Sequence, residues 1–351
     1  TGLMGVRYLV KIWDNPEIAA EKENSPFGYE WYLQEGCVAV YKNQKTAPIC
    51  YATNRLISEE AYQSLEFPLN QAILAECAVT KNTEDGKRRE NEINRITEKK
   101  NRIEEVQVTL PELTAEEGSI KKTETGYQIH ADKTLKIQAQ LSDGNHTDGQ
   151  EPVDSLKLLY LQFQVKNQKP GKSLSVWVNG VQNTLSADPS GYFYYNHNTT
   201  FTYAVGLSGS SKEVSLTFGK GNYEITEVHA FTGLVNAECD LYQSEFLPDW
   251  TRTKGDRISG QINVQSTGYF VTSIPYDQGF EVEVDGKPCA AETVNTAFLG
   301  FPIEEGFHTI EIVYHAPGAA AGKVITLLGV LFTFFLLTGK KRDRGTKIHA
   351  K

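Results

Sequence analysis

The sequence predicts a mainly β protein: a small N-terminal α/β subdomain, two β-sandwich or jelly-roll-like domains, and one C-terminal transmembrane helix. Three observations carry this. Short apolar runs separated by Gly, Asn, Asp, Ser and Pro recur from about residue 106 to residue 317, the punctuation of strands joined by turns. One apolar stretch near the C-terminus is long enough to cross a bilayer. The 351 residues are 40% hydrophobic and 23% charged, an ordinary globular balance with room for two or three cores.

Residues 1–82 mix short apolar runs (VRYLVKIW, CVAVYKN) with a helix-like LNQAILAECAV, which reads as the α/β subdomain. Residues 83–105 are charge-dense, with Ile93, Ile96, Ile103 and Val106 near one helical face. They read as a solvated helix or linker rather than an interaction arm. Residues 106–235 contain the runs TLKIQAQL, LLYLQFQV, SLSVWVNG, TFTYAVGL, VSLTFG and EITEVHAF, the strands of the first sandwich. Residues 236–256, with LPDW and TKGD, form a connector. Residues 257–317 carry GQINVQS, YFVTSI, FEVEV, TAFLGFPI and HTIEIVY, the strands of the second. Asp285-Gly286 after FEVEV predicts a hairpin turn, because primed turns require positive φ.

Residues 318–339 are the transmembrane helix. Ala319–Thr338 reads AAAGKVITLLGVLFTFFLLT, and about 20 residues at 1.5 Å each span a hydrocarbon core of about 30 Å. Apolar side chains surround the whole helix, as lipid on every side requires, whereas a core helix would be amphipathic. Lys323 lies one turn inside the end, from which its stem can snorkel to the headgroups. Residues 340–351 form a basic tail with Lys340, Lys341, Arg342, Arg344, Lys347 and Lys351, whereas Leu299–Gly318 has no Lys or Arg. That asymmetry puts the tail in the cytoplasm and the bulk outside the cell. TGLMGVRYLVKIW has no charged n-region, long apolar core or A-x-A site, so it is not a signal peptide. Export is then expected to come from membrane spans upstream of Thr1.

The net charge of −9, with no basic stripe interleaved with aromatics, argues against a nucleic-acid partner. The lipid bilayer is the expected one. Five cysteines without CxxC or Cys/His spacing support neither a zinc site nor a disulfide framework, and a Cys37–Cys50 bridge between neighbouring strands is left open. The scattered His residues show no HxH or HExxH spacing, and SDGNHTDG lacks the bidentate Glu of a calcium loop. No metal and no cofactor are expected.

Two aromatic groups are candidate glycan-binding sites. In PYDQGF, Tyr276 and Phe280 offer flat apolar faces and Asp277 an acceptor for sugar hydroxyls. The same residues also fit a tight turn with inward aromatics, since Pro275 fixes φ and Gly279 permits a reversal. In GYFYYNHNTTFTYAV, strand alternation sends Tyr192 and Tyr194 to one face and Phe193 and Tyr195 to the other. That arrangement makes either a sugar-stacking platform or a packing surface. Asp277 and Asp285 are on separate turns and do not form an acid–base pair.

The second sandwich adds up to an ordered string: Pro275-Tyr276, Gly279-Phe280, Val284-Asp285-Gly286, Asn295 followed by Ala297-Phe298, Gly306-x-His308, and Tyr314-x-x-Pro317-Gly318. It resembles the C-terminal end of the YfhO family of bacterial membrane proteins. The opening GVRYLV is similar to the segment where that family's chain leaves its last core membrane helix. Phe280 departs from the Trp common there, one aromatic filler for another. The resemblance implies a polytopic protein similar to glycosyltransferases that move a sugar from a polyprenyl-phosphate carrier onto a cell-envelope polymer such as teichoic acid. It implies catalytic carboxylates in loops between upstream helices, so no catalytic residue is assigned here. This region is then expected to position acceptor glycan or polyprenyl-linked sugar, or to stabilise the upstream membrane core. The alternative is a membrane-anchored carbohydrate-binding or adhesion module without enzymatic activity.

Overall fold

A computed structural model describes residues 6–17, 25–26, 28–43, 46–81, 86–143, 157–169, 171–187, 194–207, 212–234, 241 and 244–342. Tyr192, Phe193, Cys239, residues 144–149 of SDGNHTDG, and the tail beyond Arg342 lie outside the described residues. The chain is mainly β, in several antiparallel sheets, with few helices. It forms two compact units, Thr1–Thr46 with Ile57–Cys77 and Asn82–Leu241, and Ala47–Leu56 with Ala78–Lys81 and Tyr242–Lys351.

In the first unit, Tyr8–Ile12, Val38–Lys42 and Glu30–Glu35 make a three-stranded sheet with Val38–Lys42 in the middle. One face buries Ala39 and Tyr41 with Tyr29, and the Trp13 indole N–H donates to the Tyr41 hydroxyl at 3.2 Å.

The larger sheet turns on the strand Gly221–Leu234. One of its edges pairs with Lys157–Asn167. Its other edge is divided between Gly126–Ala131 near the start and Ile103–Thr109 near the end. One sheet therefore becomes two branches, which enclose a single core containing Ile129, Leu161, Phe163, Val176, Phe201, Tyr203, Leu216, Phe218 and Tyr223. Leu174–Val178 and Thr200–Leu207 alternate buried and less buried positions, the period-2 pattern of a sheet with one face on a core. The turn joining Leu174–Val178 to Val181–Leu185 has positive φ at Asn179 and Gly180.

The helix Gly86–Lys100 differs from its expected burial. Ile93 is exposed, while Glu92 and Lys99 are buried. Each buried charge has a partner. The Glu92 carboxylate accepts from the Ser58 backbone N–H at 2.7 Å and hydroxyl at 3.1 Å, and Lys99 Nζ meets Glu76 Oε1 at 2.7 Å. Periodicity marks apolar residues, whereas burial here follows charge pairing.

The second unit is a sandwich of two five-stranded sheets. The first runs Ser244–Glu245, Cys50–Thr53, Gly268–Pro275, Phe298–Ile303, Glu292–Val294, and the second runs Leu247–Pro248, Arg257–Val264, Gly306–Tyr314, Phe280–Val284, Lys287–Cys289. Phe246, Ile262, Val264, Phe270, Val282, Phe301, Ile310 and Ile312 fill the space between them, with Phe270 stacked on Phe301 at 4.8 Å. Cys50–Thr53, from the N-terminal stretch, is inserted beside Gly268–Pro275, a long-range pairing that a linear segmentation does not contain. The Cys37 and Cys50 thiols are both free.

Ala319–Arg342 is one helix. Its segment Ala319–Thr338 is long and apolar enough to span a membrane and is wholly unburied by the rest of the protein. The hydroxyls of Thr326, Thr333 and Thr338 donate to the carbonyls of Gly322, Gly329 and Phe334 at 2.8–3.0 Å, so these polar groups need no partner from lipid.

Candidate functional site

The PYDQGF segment closes one end of the second unit. The Tyr276 N–H donates to the Ala297 carbonyl at 2.9 Å, and the His315 N–H to the Gly279 carbonyl at 2.8 Å. Asp277 Oδ1 accepts the Gly279 N–H at 2.8 Å, so its carboxylate closes a local turn. A Cβ on Gly279 would sit 2.2 Å from the His315 carbonyl oxygen, and only glycine permits that approach. Tyr276 and Phe280 are half-buried and pack on the core, with Phe280 also 4.8 Å from the Tyr314 ring. Pro275 ends its strand opposite Phe298.

Other residues of the ordered string also serve the scaffold. Asp285 and Gly286 have φ of +53° and +72°, the pair of positive values that a type I′ hairpin requires. The Asp285 carboxylate accepts the Thr309 N–H at 2.8 Å and contacts His308 Nδ1 at 2.8 Å. These hydrogen bonds, the backbone one foremost, hold its carboxyl below the ordinary aspartate value. His308 Nε2 lies 3.1 Å from the Glu304 carbonyl. Asn295, buried at φ +47°, accepts the Val79 N–H with its side chain at 2.8 Å, while its own N–H donates to the Val79 carbonyl at 2.9 Å. Gly306 and Gly318 adopt φ of +134° and +78°, and Pro317-Gly318 leads into the apolar helix.

The Tyr-rich segment stands differently. Tyr194 is 79% exposed, whereas Tyr195 packs against the large core and meets the His197 ring at 4.3 Å. Two asparagines fix this stretch. Asn196 donates from its side chain to the Thr184 carbonyl at 2.7 Å and accepts from the Ser186 N–H at 3.1 Å. Asn198 donates to the same Thr184 carbonyl at 3.3 Å. Tyr195 lines a cleft of about 380 Å³ with Gln164, Lys166, Asn167, Leu185, Ser186 and Thr199. Its wall mixes the Tyr195 ring and the aliphatic Val165 and Leu185 with the polar groups of Gln164, Lys166, Asn167, Ser186 and Thr199. Tyr195 belongs to the aromatic run marked in the sequence, although residues 194–199 precede the strand Thr200–Leu207 instead of forming one; Lys166 and Ser186 carry no local mark and reach the cleft only through the fold. A larger recess of about 570 Å³, lined by Phe67, Leu69, Ile96, Ile103 and Phe231, is chiefly apolar. Among the described residues, no group of three or more His, Cys, Asp or Glu is placed to hold a metal.

A β-rich region joined to an unburied helix long and apolar enough to cross a bilayer is the arrangement of a membrane-anchored protein. Residues 1–326 match the family model for "Bacterial membrane protein YfhO", and the chain belongs to that family. The uncharacterized protein YfhO of Bacillus subtilis (strain 168) is 23% identical over 328 residues, covering 92% of this chain and 35% of that protein. The chain thus spans about a third of that relative's length. Among solved structures, dimeric latent PorU from Porphyromonas gingivalis matches 89% of this chain and 32% of its own, at 12% identity and a TM-score of 0.22. The conserved protein PA5104 from Pseudomonas aeruginosa PAO1 matches 60% of this chain and 93% of its own, at 12% identity and a TM-score of 0.17. Likenesses this low carry no functional assignment.

Proposed function

We propose that this chain is the extracytoplasmic accessory region of a polytopic, glycosyltransferase-like membrane protein, and that it positions an acceptor glycan of the cell envelope, of the teichoic acid type. The observation that carries this is the cleft beside the Tyr-rich segment, with Tyr195 on its wall and Tyr194 exposed next to it in sequence. The PYDQGF aromatics are less available, because their rings pack on the core of the second unit. Membership of a membrane-protein family and a relative about two and a half times as long support a larger membrane core that bears the chemistry.

The test is binding of purified wall teichoic polymer by titration calorimetry. Loss of one aromatic stacking contact is worth about 0.5–1.5 kcal/mol, so Tyr194→Ala is expected to weaken binding about 2- to 12-fold. The melting temperature stays within a degree or so, since an exposed ring contributes little to stability. Unchanged affinity would remove the glycan reading.

A further inference from the structure

The loop between Leu247–Pro248 and Arg257–Val264 presents Trp250 78% exposed to solvent, a large apolar surface at a site the glycan reading does not use. The loop is not slack. Asp249 Oδ1 accepts the Thr251 N–H at 2.9 Å and the Thr251 hydroxyl at 2.6 Å. The Arg252 and Thr253 N–H groups donate to the Asp249 carbonyl at 3.1 and 2.8 Å, and the Asp249 N–H donates to Ser259 at 2.7 Å. Lys254 and Arg257 exchange backbone hydrogen bonds at 2.8 and 3.2 Å. An ordered backbone therefore holds the indole outward.

Its place in the fold says what it faces. Arg257 starts a strand paired with Val313 near the end of Gly306–Tyr314, and the Tyr314 N–H donates to the Asp256 carbonyl at 2.8 Å. The loop thus sits at the end of the sandwich from which the chain leaves for the candidate span. Five steps of chain separate Tyr314 from Ala319, at most about 18 Å if fully extended. The turn closed by the Ala319 N–H on the Ala316 carbonyl at 3.1 Å makes the path shorter. A helix lying in lipid brings this end of the sandwich to the headgroup layer.

We propose that the Trp250 loop docks on the bilayer surface, with the Trp250 indole in the headgroup–acyl boundary. Indole suits that layer because its body is apolar and its N–H remains hydrated. Arg252 and Arg257 share the Glu311 carboxylate, and Asp249, Lys254 and Asp256 stand in the same loop. Positive and negative groups are balanced there, so the aromatic ring rather than charge drives the contact.

The experiment uses the full chain in vesicles of phosphatidylcholine with brominated acyl chains, compared with unbrominated vesicles. The apolar helix contains no Trp, so quenching reports on the β units alone. With four Trp in the chain, contact by Trp250 is expected to remove up to about a quarter of the emission, and Trp250→Phe is expected to abolish that loss. Trp13→Phe keeps it. Flotation with the vesicles checks separately that the helix is in the membrane. Flotation with equal quenching of the parent and Trp250→Phe proteins, or with none in either, overturns the proposal and leaves the span intact.

Discussion

At the scale of the residue, Asp285 shows how one side chain can be legible in part. Asp-Gly after an alternating strand announces a hairpin, and the structure has it, with positive φ at both residues. The further role of the carboxylate, holding the Thr309 N–H and His308 across the sheet, depends on a partner strand more than twenty residues away and leaves no local signature. It does leave a thermodynamic one. A carboxyl held below its unfolded value of 3.8 contributes stability that is fully present above that pH and lost as pH falls through the lower folded value. Asp285→Asn keeps the tolerance for positive φ but does not titrate. The gap in melting temperature between parent and variant is therefore expected to be constant at neutral pH and to narrow below about pH 4. The change is modest, because the carboxylate is half exposed and screened. An unchanged gap from pH 7 to pH 3 would remove these hydrogen bonds from the stability account. Asn295 teaches the same lesson: the sequence marks the residue, but the Val79 N–H that it caps lies over two hundred positions away.

At the scale of the element, strands were more legible than helices. Runs such as SLSVWVNG and VSLTFG alternate in sequence and in burial because each strand has one face on the core. The charged helix Gly86–Lys100 was legible as a helix but not in its orientation, since its buried face carries Glu92 and Lys99. The Lys99–Glu76 pair has side chains only 6% and 12% exposed. Removing one member of such a pair leaves the other charge desolvated, at about 3–5 kcal/mol. Lys99→Met is therefore expected to lower unfolding free energy by about 3 kcal/mol, and Lys99→Met with Glu76→Leu to lower it by less. Urea denaturation of both variants measures this, and a double variant as unstable as the single one would assign the loss to packing. Burial, then the charge of Glu76, pushes the nearby Tyr160 phenol up to about 12, so the double variant should also bring Tyr160 ionisation down. The cleft beside Tyr195 was illegible as a cleft for a related reason, because its walls come from the strand Lys157–Asn167 and from segments around Leu185 and Tyr195 some twenty or more residues further along.

At the scale of the whole molecule, the β character and the apolar helix were both plain in the sequence, since each rests on a local pattern. The recruitment of Cys50–Thr53 into the second unit was not, because pairing partners far apart in sequence share no periodic mark. Sidedness is the property on which the proposed function depends most. Orientation follows Lys and Arg within about 15–20 residues of a span, and here Lys340, Lys341 and Arg342 through Lys351 lie on one flank while Leu299–Gly318 has none. The large β units on the other flank add little to this bias, since long domains cross largely regardless of charge. With the helix in a bacterial inner membrane, protease added to intact protoplasts is expected to digest the β units and spare an epitope placed after Lys351; lysis should expose that epitope. Digestion of the epitope with protection of the β units would put the cleft in the cytoplasm, away from any envelope polymer, and the acceptor-positioning role would fall with it.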